Sequence, residues 1–480
     1  MRPSHVPFRP VALVVLMFFF HGSLMAQDPL PRAAREQRIE NLQLRERERY
    51  LEKMPKEGAV IAKADKYLLS FGGWADVDYI DFGNDDNNRE EKDVFDADLM
   101  VDTRLWVKGV WRMDLGKREY EHTVFAQFRN LYTERWPSEG QPLVQDDNDG
   151  PHVDLLYGDL DLGLGKLRTG RQYLNLGQGI VLSDVYDGFK FSGSVSDVSF
   201  ETFVAKTLPH AENIDYSVPG YDKTSKRYFT GGDVVWRPKM EFGLYGFFLI
   251  QHDESQPSPA TNQDYNYDSQ HWGVGSTYEF EKGPSLWGEY IFETGSSAVF
   301  GEEKRSDVLA HAFDLGASYE YPWFAHPEIS LEYAFGSGDG DRTSVTNTEG
   351  GNLRGRDHNF LPFGFFPAGY ALEPVLSNIH ILRTGVAVKP LEKYWALRKL
   401  QLRTDGYFYW KAKAKGGIYD IDATEPSSDI GREIDFTLLW PVFSDVEISV
   451  RYGLFFPGKA FPAQSNDPES YLSTSLSVTF

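Results

Sequence analysis

From Leu68 onward the sequence contains about eighteen segments of strand character, and the connections between them are alternately short and long. Short connections such as 163–166 (GLGK) and 237–239 (RPK) alternate with long ones rich in Asp, Asn and Ser. The clearest long connections are 207–225, 252–267, 337–376 and 412–429. A membrane-spanning barrel with both termini on one side produces this alternation, with the long connections on the outer side. We therefore predict an all-β fold, a transmembrane antiparallel β-barrel of about 18 strands.

Residues within the predicted strands alternate between apolar and polar. In the segment 445–456, Val446, Ile448 and Val450 fall on one face, and Glu447 and Ser449 on the other. Lipid outside and water inside a barrel require this pattern, and aromatic residues at 15% suit the girdles at the two membrane interfaces. A soluble all-β protein, with a sandwich of similar strands, is the alternative that alternation alone leaves open.

The N-terminal residues differ from the predicted barrel at 68–480. Residues 1–26 combine basic residues, an apolar run and small residues, which is typical of a secretory signal peptide. Residues 27–67 form a charged periplasmic leader, in which 31–58 favours a helix or disorder. This leader is interpreted as a solvated segment, and a helix that binds a partner is the alternative.

Composition limits the partners. The formal net charge of −22 argues against nucleic acid as a partner, and the absence of cysteine excludes disulfides and thiolate metal sites. The expected location is the bacterial outer membrane, where the barrel contacts lipid. The chain ends on the strand "YLSTSLSVTF", and we expect the barrel assembly machinery to recognise the terminal Phe480.

Charged residues on the polar face of the strands are the candidate pore-lining residues. On that face lie Arg104, Lys108, Arg129, Arg383, Arg403 and Arg451, together with the acidic residues Glu289, Glu332 and Asp435. An arc of basic residues would attract a polyanion through charge-assisted contacts. Alternatively, the same residues form internal salt bridges that only hold the wall together.

Motifs for catalysis are missing. The sequence has no Gly-x-Ser-x-Gly elbow, no zinc signature and no phosphate-binding loop, so we predict that the protein is not an enzyme. Asp339 and Asp341 could bind a structural calcium ion on an outer loop, or simply form an acidic solvated loop. No other cofactor is expected.

Two longer motifs resemble a known family. The segment 168–193 (RTGRQYLNLGQGIVLSDVYDGFKFSG) is similar to the Gly-Arg-Gln segment of the alginate-export family of outer-membrane porins. The segment 428–461 resembles that family's Asp-Ile-Gly-x-Glu strand and the strand ending in Phe-Pro-Gly. Shorter similarities occur at 333–341 and 376–390, so the resemblance covers roughly 68–480.

The resemblance implies an eighteen-stranded barrel that exports a polyuronate past arginine residues. Arg104, Arg171 and Arg451 match arginines of the family pattern, although Arg171 falls on the apolar face and would need a bulge to turn inward. The sequence departs from the alginate exporter at "LLYGDLDL" (155–162) and at the aromatic stretch "LPFGFFPAGY" (361–370). These departures concern the cargo more than the barrel.

The predicted function is that of an outer-membrane porin or exporter, which passes an anionic, alginate-like polysaccharide or related solutes by passive diffusion. A general porin for small solutes is the first alternative. A barrel enzyme acting on lipid or polysaccharide and a structural barrel with a plugged lumen are the others.

Overall fold

A computed structural model describes most of the chain after residue 58. The described residues are 59–480, except for 85–86, 88–94, 117, 138–146, 210, 212–224, 256–265, 281–282, 300–304, 343–344, 346–351 and 421. The predicted signal peptide (1–26) and the predicted helix at 31–58 lie outside the described residues. Within the described part, no helix is long and apolar enough to cross a membrane.

The regular structure of the described residues consists of nineteen β-strands. In chain order they are β1 (Ala59–Ala64), β2 (Tyr67–Gly83), β3 (Phe95–Leu115), β4 (Arg118–Pro137), β5 (Asp147–Asp161), β6 (Lys166–Leu176), β7 (Leu182–Val195), β8 (Val198–Lys206), β9 (Arg227–Lys239), β10 (Phe242–Asp253), β11 (Asp268–Glu279), β12 (Ser285–Ala298), β13 (Arg305–Glu320), β14 (Glu328–Gly336), β15 (Ile379–Val388), β16 (Gln401–Lys411), β17 (Asp429–Pro441), β18 (Val446–Pro457) and β19 (Glu469–Thr479).

Strands β2 to β19 form a closed barrel in which each strand pairs with its neighbours in sequence. Every ladder is antiparallel, and β19 returns to pair with β2, from Ser470 opposite Gly83 to Thr479 opposite Trp74. Closure leaves no free edge along these strands, as a barrel in a membrane requires. The predicted fold, an antiparallel barrel of about 18 strands, is confirmed.

The closure depends on two glycines of β2. Gly73 and Phe480 exchange both backbone hydrogen bonds, each 2.9 Å long. A Cβ atom on Gly72 would lie 2.5 Å from the indole ring of Trp106, and one on Gly73 would lie 2.4 Å from the carbonyl oxygen of Arg104. The same Cβ atoms would lie 2.7 Å from the Phe480 carbonyl oxygen and 2.9 Å from the Phe480 ring, so a larger residue at either position would crowd both β3 and the last residue of the barrel.

One strand lies outside the barrel. β1 pairs with the first residues of β2, from Ala59 opposite Phe71 to Ala64 opposite Tyr67. The ladder between β19 and β2 ends at Trp74, and Phe480 extends it only to Gly73, so β1 satisfies the backbone groups of β2 that lie before Gly72. The end of the predicted leader (27–67) therefore contains a strand.

The two faces of the barrel wall differ as the alternation predicted. On β3, Leu105 and Val107 are 50% and 42% exposed and lie on the outer face. Their neighbours Arg104 and Trp106 are buried and point to the inner side of the sheet. The same division on the other strands gives the barrel an apolar exterior and a charged inner wall.

Candidate functional site in the barrel lumen

The inner wall of β3 and β4 carries the first group of predicted charges. Asp102 accepts hydrogen bonds from Arg104, at 2.8 Å, and from Arg129, whose Nη2 lies 2.9 Å away. A second carboxylate, Asp154, lies 3.7 Å from Arg104. Both predicted arginines therefore lie in the lumen, and each is bound to a carboxylate of the wall.

Lys108 follows Arg104 by four residues on β3, so both side chains lie on the same face of the strand. It is half-buried, and it forms no ion pair with any residue of the part that the structure describes. It stands opposite Ser70 of β2 and Phe125 of β4, neither of which is charged. Among the described residues, Lys108 is thus a lumenal cation without a carboxylate partner.

The second group of predicted charges spans β14 to β16. Asp405 accepts from Arg383 at 2.9 Å and from Arg403 at 2.7 Å. Arg383 also lies 3.3 Å from Glu332, and Arg403 lies 3.6 Å from Glu328. The two arginines thus share three carboxylates, and this part of the wall has a net charge of −1 by that count.

Arg171 occupies a different place from the other predicted arginines. It stands directly opposite Leu156, which is 48% exposed on the outer face, and opposite Asp187, with which it forms an ion pair at 3.1 Å. Residues directly opposite in an antiparallel ladder share a face, and the ladders of β6 contain no register shift. The structure therefore places Arg171 on the outer face, without the bulge that an inward position required.

The neighbouring Arg168 lies on the inner wall instead. It forms an ion pair with Asp159 at 2.7 Å, and its guanidinium carbon lies 3.8 Å from the ring centroid of Tyr157. The residues predicted from the sequence did not include Arg168, because the Gly-Arg-Gln motif of the family contains Arg171 instead. The strand's alternation contained the signal, since Arg168 and the fully buried Gln172 fall on one parity.

Glu289 lies on the inner wall of β12 and is almost fully buried. One of its carboxylate oxygens accepts from the Tyr245 hydroxyl at 2.9 Å and from the Gln178 backbone N–H at 2.8 Å. Gln178 belongs to the connection between β6 and β7, so Glu289 binds that connection to the inner wall at β12. Directly opposite Glu289 on β13 stands Asp314, which is also buried.

A long segment of the β14–β15 connection crosses the lumen. No residue from 359 to 378 is exposed, although these residues belong to a loop. We call residues 360–372 the lumen strap, because this stretch contacts inward-facing side chains on both sides of the barrel. The connection 337–376 is predicted to lie on the outer side of the membrane, and the structure adds that its strap folds into the lumen instead of extending into solvent. The aromatic stretch "LPFGFFPAGY" explains the difference, since an apolar loop gains free energy by burial.

The first end of the strap is held by β11 and β12. The Leu361 N–H donates to Glu293 at 3.0 Å, and the Leu361 carbonyl lies 3.2 Å from Nε2 of His271. Phe360 and Phe363 pack edge-on against the His271 ring, each with ring centroids 5.8 Å apart. All of these wall side chains are fully buried.

The middle of the strap lies against the β6–β7 connection. Three successive N–H groups of 363–365 donate to the carbonyl oxygens of 179–181 at 3.0 to 3.2 Å. A Cβ atom on Gly364 would lie 1.8 Å from the Gly179 carbonyl oxygen, so only glycine permits this approach. The strap and the β6–β7 connection together fill part of the lumen's cross-section.

The other end of the strap is held by β17. Glu433 accepts hydrogen bonds from the N–H groups of Tyr370, Ala371 and Leu372 at 2.5, 2.7 and 3.2 Å. The Tyr409 hydroxyl also donates to Glu433, at 3.1 Å. A single buried carboxylate thus satisfies three backbone donors that the lumen strap could not satisfy internally.

The last two predicted lumen residues lie near this end of the strap. The Arg451 guanidinium carbon is 5.8 Å from the ring centroid of Tyr370. Asp435 is buried on the inner wall of β17, directly opposite Asp405 of β16 and Gly453 of β18. Arg451 and Asp435 therefore lie beside the β17 end of the strap, and the Arg451 guanidinium lies over the ring of Tyr370.

The predicted calcium ligands lie at the start of the same connection. Asp339 accepts from the N–H groups of Asp341 and His358, at 3.2 and 3.0 Å. Burial opposes ionisation of Asp339, but hydrogen bonds from the Asp341 side chain and from these N–H groups lower its pKa below the usual value. Burial and the bond to Asp339 raise the pKa of Asp341. Among the described residues, no group of three or more histidine or acidic side chains could hold a metal ion, and the calcium interpretation stays a prediction.

The sequence and the barrel fold both have counterparts among known proteins. A family model described as alginate export matches residues 69–473. The chain belongs to the alginate export family. This confirms the family that the motifs at 168–193 and 428–461 indicated.

Solved structures share the fold at low sequence identity. OccK8 (OprE) of Pseudomonas aeruginosa is 12% identical, covering 86% of this chain and 98% of that chain, with a TM-score of 0.53. OccAB4 of Acinetobacter baumannii is 13% identical, covering 87% of this chain and 99% of that chain, with a TM-score of 0.53. At this identity the likeness shows the fold alone. No curated protein matches the sequence.

Family and fold together give a coarse assignment. An alginate export barrel of this size is an outer-membrane porin, and porins are channels. The outer membrane is also the location that a closed barrel with an apolar exterior indicates. What passes through the lumen is a separate question.

Proposed function

We propose that this member of the alginate export family is a passive channel for hydrophilic saccharides, with an anionic polysaccharide of the alginate type as its cargo. The single observation that carries the proposal is the charged inner wall of the eighteen-stranded barrel, crossed by the lumen strap. A barrel of this strand number leaves an aqueous path, and a strap across it restricts passage to an extended chain or a small solute.

Guanidinium groups on the inner wall support an anionic cargo. Arg104 and Arg129 lie together on one part of the wall, and Arg383 and Arg403 lie together on another. Arginine binds carboxylates through two parallel hydrogen bonds and stays charged at any working pH. Lys108 adds a cation that has no carboxylate partner in the described part of the chain.

A second candidate, a general porin for small neutral or cationic solutes, is favoured by the ion pairs themselves. Arg104 and Arg129 are matched by Asp102 and Asp154, which gives a net charge of zero. At the β14–β16 group the acids outnumber the arginines by three to two. A polyanion would have to replace these wall carboxylates as the partner of each arginine.

Planar-bilayer recordings decide between the two candidates. The proposed function predicts an anion-selective reversal potential in a salt gradient, and block by alginate oligomers that weakens at high salt because screening shortens the reach of the wall charges. Replacing Arg104 and Arg451 together by Glu should shift the reversal potential toward cation preference. A wild-type channel that already prefers cations and ignores alginate oligomers would reject the anionic cargo in favour of the general porin.

A further inference from the structure

An arginine on the outer face of the barrel forms no ion pair with any residue that the structure describes. Arg432 of β17 is exposed, and it stands directly opposite Phe408 of β16 and Phe456 of β18. Phe408 is 43% exposed on the outer face, so Arg432 also points away from the lumen. The Arg432 guanidinium carbon lies 5.6 Å from the ring centroid of Phe456, and no described residue forms an ion pair with it.

A second cation, Lys459, follows the strand that pairs with Arg432, three residues after Phe456. Lys459 follows the end of β18, and the backbone on each side of it is fixed to the start of β17. The Gly458 N–H donates to the Ile430 carbonyl at 2.6 Å, and the Ala460 N–H donates to the Asp429 carbonyl at 2.8 Å. Ala460 is buried whereas Lys459 is exposed, and Lys459 forms no ion pair with any described residue.

The position of these two cations along the wall is informative. β17 begins at Asp429, at the end of the barrel that is remote from the chain termini. Arg432 therefore lies three residues inside that end of the strand. Two rings on the neighbouring strand, Phe408 and Trp410, are stacked with centroids 6.2 Å apart and face outward. Exposed aromatic residues at a strand end mark the level of the lipid headgroups.

A lipid-facing cation at that level needs an anionic partner. A charge on the outer wall costs about 2–4 kcal/mol at the bilayer midplane and about 0–1 kcal/mol near the interface, so Arg432 is tolerated only where it reaches the headgroups. The arginines of the inner wall that carry the proposed function each have a carboxylate partner, whereas Arg432 and Lys459 have none among the described residues. The described part of the chain supplies no such anion, and this points to a ligand from the surrounding membrane.

We propose that Arg432 and Lys459 form a binding site for a phosphate group carried by a lipid of the outer leaflet. The planar guanidinium of Arg432 would donate two parallel hydrogen bonds to phosphate oxygens. The ammonium of Lys459 would supply a second positive charge. The outward rings of Phe408 and Trp410 would contact the first part of the acyl chains. This inference uses the barrel's outer surface, and it holds whichever solute passes through the lumen.

Native mass spectrometry of the full-length protein in detergent tests the site. The probes are bisphosphorylated lipid A, the same lipid A without its phosphates, and phosphatidylglycerol. The variant is R432Q/K459Q, which keeps a polar side chain at each position and removes both charges. The matched control is R118Q, because Arg118 also lies over an aromatic ring, Tyr120, at 5.7 Å, but at the opposite end of the barrel. Heat-modifiable migration on gels shows that each variant is folded.

We expect R432Q/K459Q to bind a phosphate-bearing lipid about tenfold more weakly than wild type, and R118Q to bind it as well as wild type. If R432Q/K459Q binds only lipid A more weakly, or only phosphatidylglycerol more weakly, the result supports the site and identifies the lipid that supplies the phosphate. Equal binding by wild type and R432Q/K459Q would overturn the proposal. It would equally be overturned if lipid A without phosphates showed the same tenfold difference, or if R118Q lost binding to the same extent.

Discussion

The two ends of the lumen strap are held in different ways. At the β17 end, Glu433 accepts three backbone hydrogen bonds from 370–372, so attachment is polar and depends on one side chain. At the β11–β12 end, Glu293 accepts only one, from Leu361, and the rings of Phe360 and Phe363 pack against His271. The β17 end depends on one charged side chain, whereas attachment of the β11–β12 end is distributed over several apolar contacts.

This difference teaches how a loop can be kept inside a pore. Backbone N–H groups that leave the solvent need acceptors, and one buried carboxylate can serve several of them at once. Apolar packing needs no single residue, but it needs several rings in contact. We therefore expect the β17 end to fail through one substitution, and the β11–β12 end to weaken gradually.

The largest effect is expected from Glu433→Ala. This change leaves three buried N–H groups without an acceptor, and each such group costs about 1–3 kcal/mol. The β17 end of the strap should detach, and hydrogen exchange at 370–372 should rise by orders of magnitude. Glu332→Ala is the matched control, because Glu332 is a wall carboxylate bound to Arg383 and not to the strap. Unchanged protection of 370–372 in Glu433→Ala would show that the strap is held by something else.

A smaller effect is expected where the strap crosses the β6–β7 connection. Gly364→Ala places a Cβ atom against the Gly179 carbonyl oxygen, and overpacking of this kind costs about 1–3 kcal/mol. Exchange should rise at 363–365 while 370–372 stays protected. The control is Gly340→Ala in the same connection, since a Cβ atom there meets nothing within 4 Å. Equal exchange in both variants would mean that the close approach at Gly364 does not hold the strap.

The smallest effect is expected from Glu293→Gln. The amide oxygen can still accept from Leu361, and the packing of Phe360 and Phe363 is unchanged, so the loss is about 1 kcal/mol. Exchange at Leu361 should rise by less than tenfold. If Glu293→Gln released the strap as completely as Glu433→Ala, the two ends would be held alike, and the proposed difference between them would be wrong.

The barrel could be predicted from the sequence because its determinants are local. Alternation along segments such as 445–456, and the alternation of short and long connections, follow from having lipid on one face and water on the other. The same parity placed Arg104, Arg129 and Arg383 on the inner wall, where the structure has them.

The contacts across the lumen could not be predicted in this way. Asp405 binds Arg383 and Arg403 because of the register between β15 and β16, which parity alone does not define. The strap depends on contacts between residues far apart in sequence, such as Glu433 with Tyr370. Its only local signal is the apolar stretch at 361–370, which is unusual for a loop exposed to water.

The central claim is that the lumen strap limits passage through the barrel, and single-channel conductance tests it most directly. The variant replaces residues 360–372 by a Gly/Ser linker of equal length, which keeps the loop but removes the rings and the contacts with Glu433. Heat-modifiable migration confirms that its barrel is folded. We predict a conductance several-fold larger than that of wild type. A folded variant with wild-type conductance would contradict the claim, since the strap would then not lie in the path of the ions.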